Sequence, residues 1–196
     1  VKPEEAQQIR NLSQKLAALV PANELFGNLL QIIQRTGGAT AIAMLEKLVA
    51  FSQKSKGEMG AELIKDLLND VARPSSVNQR NNNTCASTAL QVKMAGQDPL
   101  RYVEMMTKLA AGDTFEAGGI DFKAPANWNA NPNDERTSSA RLFQETLQAQ
   151  RKDKSISGMT RPDNERMDHA LFGKWYDPID SHSGKTADLL TEIEDD

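Results

Sequence analysis

Residues 78–90 read NQRNNNTCASTAL, a run of polar side chains that passes into small and apolar ones. The polar part has almost nothing to bury, which is typical of a loop. From Cys85 onward the apolar side chains recur at helical spacing, and those on the predicted apolar side are Ala86, Ala89, Leu90 and Met94. The sequence therefore predicts a polar loop that leads into a helix, with the chain's one cysteine at the start of that helix.

Four apolar stripes at helical spacing precede this loop, between residues 3 and about 72. Pro3 suits the first turn of the first helix because proline has no amide hydrogen to lose there. Gly37 and Gly38 separate the second helix from the third. The apolar residues of the four stripes, in chain order, are Ile9, Leu12, Leu16 and Leu19; Leu25, Phe26, Leu29, Leu30, Ile32 and Ile33; Ile42, Leu45, Leu48 and Val49; and Leu63, Ile64, Leu67 and Leu68. Residues 1–72 are thus predicted to form an N-terminal helical bundle.

Beyond Cys85 the pattern remains mainly helical. A helix is predicted to begin at Asp98-Pro99, and two short strands around Ala117-Gly118-Gly119 are predicted to form a hairpin, since glycine allows the positive φ of a tight turn. Three further helices are predicted over residues 134–150, 164–172 and 186–193. The predicted fold class is α+β and predominantly helical, with residues 73–196 as a second region that need not be complete.

Cys85 has the surroundings of a nucleophile. A thiol at a helix N-terminus faces unpaired backbone amides and the positive end of the helix dipole, and both favour the thiolate. When a thiolate attacks a carbonyl, negative charge develops on the oxygen and needs hydrogen-bond donors placed in advance. The Cys85 amide and the Gln79 side-chain amide, both on one short loop, are candidate donors.

Gln79, six residues before Cys85, and the small Ala86 and Ser87 after it resemble the nucleophile segment of papain-like cysteine proteases. Residues 84–91, Asp98-Pro99, residues 101–103 and the helix containing residues 141–144 are similar to papain-fold cysteine-hydrolase domains of large bacterial proteins. The resemblance covers roughly residues 75–150 and implies the helical part of a papain-like fold. It also implies a thiol-dependent amide hydrolase or acyl transferase acting on a protein or peptide.

A papain-like nucleophile needs a histidine as base and a group that orients the histidine. Residues 168–171 are similar to the family's histidine strand, although residues 164–172 fit a helical turn equally well. The candidates are His169 with Asp177 as its orienting carboxylate, His182, or a base outside this chain. The last is favoured, so we expect a further segment or chain to supply the histidine.

Composition excludes several classes of protein. The formal net charge of −4 gives no positive field for nucleic acid, and no apolar run approaches the length of a membrane span. A single cysteine cannot form an internal disulfide, so we expect the chain to fold in a reducing cytoplasm. The scattered histidines and cysteine lack zinc-ligand spacing, so no metal or cofactor is predicted.

Two interpretations stay open at this point. The first is a cysteine hydrolase or transferase, and the resemblance adds an association with exported bacterial effectors or toxins. The second is a non-catalytic helical interaction module or pro-segment, in which Cys85 only fills space, as free cysteines commonly do.

Overall fold

The computed structural model describes residues 1–55, 57–78, 80, 84–131, 133–152, 155 and 158–173. Within these ranges the regular structure is mainly helical, with one small two-stranded sheet. The elements are α1 (Pro3–Leu16), α2 (Ala22–Thr36), α3 (Gly38–Lys54), α4 (Glu58–Ala72), a 3₁₀ turn (Pro74–Ser76), α5 (Cys85–Gln97), α6 (Pro99–Ala110), β1 (Phe115–Ala117), β2 (Ile120–Phe122), α7 (Ser138–Ala149) and α8 (Arg161–Phe172). The predicted predominantly helical fold with a short β-hairpin is therefore confirmed for the described residues.

The four N-terminal helices form where the apolar periodicity predicts them, and most of each apolar stripe is buried. By contrast, Phe26 and Leu30 of α2 are exposed, and Leu19 lies beyond the end of α1. In the hairpin, Phe115 lies opposite Phe122 and Ala117 opposite Ile120 in an antiparallel register. Residues 168–171, for which a strand and a helix were both open, belong to helix α8. The helix predicted over residues 186–193 lies outside the described residues.

Helix α7 begins four residues later than predicted, at Ser138 instead of Asp134. The Asp134 carboxylate accepts hydrogen bonds from the Arg136 backbone amide and guanidinium, which holds this segment in a non-helical turn. Thr137 then caps the helix by accepting a hydrogen bond from the Ala140 amide at 3.3 Å. A local side-chain bond from an aspartate competes with the helical backbone pattern here, as it does in many turns.

One hydrophobic cluster includes buried side chains from all eight of these helices and from both strands. Helix α3 packs on α6, and helix α4 packs on α5 and α7, so apolar contacts cross residue 72 directly. The described residues on either side of residue 72 therefore share one hydrophobic core. The division into residues 1–72 and 73–196 stays a prediction. None of the helices in the described ranges has the length and hydropathy needed to cross a lipid bilayer.

The turn of the hairpin packs closely against helix α8. Gly118 has φ +54°, and a Cβ there would lie 2.4 Å from Ala170 Cα. We expect Gly118→Ala to lower the free energy of unfolding by about 2–4 kcal/mol, since it adds both a strained φ and an overlap. Gly119→Ala is the matched control, because Gly119 has φ +75° but no neighbouring atom within 4 Å. Urea unfolding should show a loss of only about 1–2 kcal/mol for the control, and equal losses would contradict the contact.

Candidate functional site

Cys85 is the first residue of helix α5, and it is exposed. Helix α5 itself lies in the middle of the described fold and packs on α4, α6, α7 and α8. Its first turn is held from the inside by Ser87, whose hydroxyl accepts a hydrogen bond from Gln148 Nε2 at 3.3 Å and contacts Met159 Sδ at 3.0 Å. The sulfur is therefore presented to solvent by a helix that is fixed on its other sides.

The N-cap residue of α5 is Thr84, whose side chain makes no capping hydrogen bond, and the first turn has no acidic residue. The N-cap residues of α2, α3 and α4 make no such bond either, whereas Asp98, Thr137 and Thr160 cap α6, α7 and α8. Backbone donors that Thr84 does not cap, together with the positive end of the helix dipole, stabilise an anion placed beside Cys85.

The Thr84 hydroxyl donates instead to the buried side chain of Gln144 on α7, at 2.7 Å from Oε1. Gln144 Nε2 in turn donates to Gln91 Oε1 on α5 at 3.0 Å and lies 3.5 Å from the Asn78 carbonyl oxygen. Gln91 Nε2 then donates to the Tyr102 hydroxyl at 2.8 Å. The buried side-chain amide of Gln144 thus connects Thr84, which precedes Cys85, to Gln91 in the middle of α5. It also contacts Asn78, which precedes the polar loop.

The chain of hydrogen bonds ends at Asp70 on α4, whose carboxylate accepts from the Tyr102 hydroxyl at 2.7 Å. Burial raises the pKa of Asp70 to about 7, against the opposing effect of hydrogen bonds from Ser139 and Tyr102. Burial also raises the pKa of Tyr102 well above its ordinary value, and the Asp70 charge adds to this rise. Below about pH 6 this end of the network is therefore largely uncharged, which suits a buried position.

Arg136 braces the network from the other side. Its Nη1 donates to Gln144 Oε1 at 3.2 Å, and its Nη2 lies 2.6 Å from Asp134 Oδ2 and 2.7 Å from Glu145 Oε1. Burial acts to raise the pKa of Asp134, but the hydrogen bonds and charge of Arg136 hold it below its ordinary value. The guanidinium is thus fully paired and gives Gln144 a fixed donor.

His169 lies in the last turn of α8 and is exposed. Its neighbour Asp168 forms an ion pair with Lys93 of α5, and the Lys93 ammonium lies 4.1 Å from the centre of the Phe172 ring. Lys93 is eight residues beyond Cys85, about 12 Å along the helix axis. Asp168, the residue before His169, thus contacts α5 about two turns beyond Cys85, and the role of His169 as the base stays a prediction.

The remaining predicted site residues, Gln79, Asp177 and His182, lie outside the described residues. Their roles as oxyanion donor, orienting carboxylate and alternative base stay predictions. Within the ranges that the structure describes, no group of three or more Asp, Glu, His or Cys side chains could hold a metal ion. The described part of the site is therefore the candidate nucleophile Cys85, its helix α5 and the network of buried polar side chains that contacts this helix.

These features define a mainly helical α+β protein with an exposed cysteine at the start of a braced helix. Comparison with protein-family models, curated proteins and solved structures finds no match for this chain. The papain-like relationship consequently rests on the residues quoted from the sequence.

The sequence reasoning assigned no role to Thr84, Gln91 or Gln144. The spacing of Gln144 nevertheless indicates a buried position. It follows Ala140 by four residues and precedes Leu147 by three, and so lies on the apolar face of its helix. Gln91 likewise lies on the face of Ser87 and Met94. A glutamine at a core-facing helical position must find a partner for its amide, so two of them in one chain indicate a buried polar contact.

Proposed function

We propose that this protein is a thiol-dependent amide hydrolase or acyl transferase with Cys85 as its nucleophile. The observation that carries the proposal is an exposed cysteine at the first residue of a helix whose N-cap side chain, Thr84, makes no capping hydrogen bond. Backbone amides at such a position can donate to the charge that develops on an attacked carbonyl. The papain-like resemblance of residues 75–150 supports the same chemistry.

In the proposed reaction the Cys85 thiolate attacks an amide carbonyl, the S–C bond forms and the C–N bond breaks. The leaving amine takes a proton from a general acid, and a thioester remains on Cys85. Water as the next acceptor gives a peptidase or a deamidase, and an amine gives a transglutaminase. We propose that a histidine serves as both acid and base. The candidates stay His169 with Asp177 as its orienting carboxylate, His182, or a histidine from a further segment or another chain.

The experiment uses p-nitrophenyl acetate, because p-nitrophenolate leaves without needing a proton. Acylation of Cys85 can then be measured whether or not the histidine is present, since the missing acid affects only poorer leaving groups. We expect release of one p-nitrophenolate for each chain, and mass spectrometry should find the acetyl group on Cys85. Added methylamine should speed the loss of the acetyl group if the protein is a transferase.

A matched control moves the thiol by one helical turn. Ala89 lies on the same helix, four residues beyond Cys85, and is exposed. In the double variant C85A/A89C the thiol keeps its exposure but loses the helix N-terminus. We expect wild-type acylation to be at least about tenfold faster than acylation of this variant. Equal rates would contradict an activated nucleophile.

The second candidate function is a non-catalytic interaction module. Phe26 and Leu30 favour it, because they lie one turn apart on α2 and are 58% and 62% exposed. Exposed apolar side chains in such an arrangement occur on helices that contact a partner. A Cys85 that acylates no faster than the relocated thiol would favour this function.

Two wider expectations accompany the enzymatic proposal. The resemblance to domains of large bacterial proteins associates it with an exported effector or toxin. A single cysteine without an internal partner fits folding in a reducing cytoplasm before any export.

A further inference from the structure

Gln144 is a buried residue of α7 that hydrogen-bonds to the residue immediately before Cys85. Its side chain is fully buried on α7, yet it hydrogen-bonds to groups on both sides of the polar loop. Thr84 immediately precedes Cys85, and Asn78 lies six residues before Thr84. The same amide also bonds to Gln91 within α5.

We propose that Gln144 is a positioning residue for Cys85, acting through its hydrogen bond to the Thr84 hydroxyl. The inference rests on the proposed function, since it names a residue that holds the nucleophile in place. The hydrogen bond to Gln144 anchors the Thr84 side chain to α7. It thereby fixes the residue that immediately precedes Cys85, and with it the start of α5.

The surrounding hydrogen bonds hold Gln144 in place and connect Thr84 to the first turn of α5. Arg136 Nη1 also donates to Gln144 Oε1, and Gln144 Nε2 donates to Gln91, so the amide cannot rotate without losing bonds on both sides. The Thr84 carbonyl oxygen accepts from the Thr88 amide at 2.8 Å and so forms the first hydrogen bond of α5. Displacement of Thr84 would therefore be transmitted to the turn that presents Cys85.

The test is a double-mutant cycle on acylation of the full chain by p-nitrophenyl acetate. Gln144→Met keeps the length of the side chain and removes its polar atoms, and Thr84→Val removes the hydroxyl alone. We expect each single variant to slow acylation about tenfold or more, because the hydrogen bond that fixes Thr84 beside Cys85 is lost. The double variant should be no slower than the worse single one, because both changes break the same contact.

Thr146→Val is the matched control. Thr146 is buried on the same helix, and its hydroxyl donates to the Leu142 carbonyl at 2.7 Å. It should acylate at the wild-type rate even though it also loses a buried hydrogen bond. Additive effects of Thr84→Val and Gln144→Met, or an equal loss in Thr146→Val, would overturn a positioning role.

Amide hydrogen exchange separates this inference from the proposed function. In Gln144→Met the Thr88 amide should lose protection about tenfold or more, whereas the Asp98 amide, which bonds to Met94 at the other end of α5, should not. If wild-type Cys85 acylates no faster than the thiol of C85A/A89C, the enzymatic proposal is rejected. The exchange of the Thr88 amide then decides by itself whether Gln144 positions the start of α5. Unchanged Thr88 exchange would overturn the positioning whatever the acylation rate.

Discussion

Replacing Gln79 with alanine is expected to slow acylation of Cys85 by p-nitrophenyl acetate about 100- to 1,000-fold, the usual cost of removing one oxyanion-hole donor. The ester carbonyl becomes a negatively charged oxygen in the transition state, and the Gln79 amide is the predicted donor to it. Gln79→Glu should be at least as slow, because it keeps the shape of the side chain but replaces the donor with a negative charge.

Alkylation of Cys85 by iodoacetamide provides the control for this prediction. Alkylation displaces iodide at a saturated carbon and develops no oxyanion, so it reports only on the thiolate and its exposure. Gln79→Ala should therefore alkylate at nearly the wild-type rate. Equal slowing of both reactions would mean that Gln79 supports the structure of the loop and not the transition state.

The stability of the protein is expected to fall as the pH rises from about 4 to 8, mainly because of Asp70. Its pKa is raised from 3.8 to about 7 in the folded state, so the folded chain holds a proton that the unfolded chain has already released. The stabilisation is complete below about pH 4 and is lost as the pH passes 7. At about 1.4 kcal/mol for each pH unit, the decrease in the free energy of unfolding is up to about 4 kcal/mol.

Asp70→Asn should remove most of this dependence, since an asparagine oxygen can still accept from Tyr102 but cannot ionise. Asp66 contributes in the same direction, because burial raises its pKa to about 6, so a smaller decrease should remain in the variant. Asp121→Asn, at an exposed position on strand β2, is the matched control and should follow the wild type. Urea unfolding at pH 5 and pH 8 measures the three proteins, and identical pH dependence in wild type and Asp70→Asn would contradict the buried role of Asp70.

Much of the fold could be predicted from apolar spacing alone. The stripes of α1 to α4 and the start of α5 are local patterns, since each helix must turn one apolar face towards a core. The start of α7 could not be found in this way, because a hydrogen bond between Asp134 and Arg136 decides it. The candidate site divides similarly: Cys85 could be recognised from its place after a polar loop, but nothing local indicates that Gln144 contacts Thr84.

The sequence by itself determined most of the described helical segments and that the single cysteine opens one of them, because both follow from interactions within a few residues. Only the tertiary structure decided how the first turn of α5 is held and where His169 lies. Thr84 is sixty residues from Gln144, and Lys93 is seventy-five from Asp168. Contacts at such separations depend on how helices pack around a shared core, and packing brings together side chains whose spacing in the sequence carries no sign of their meeting.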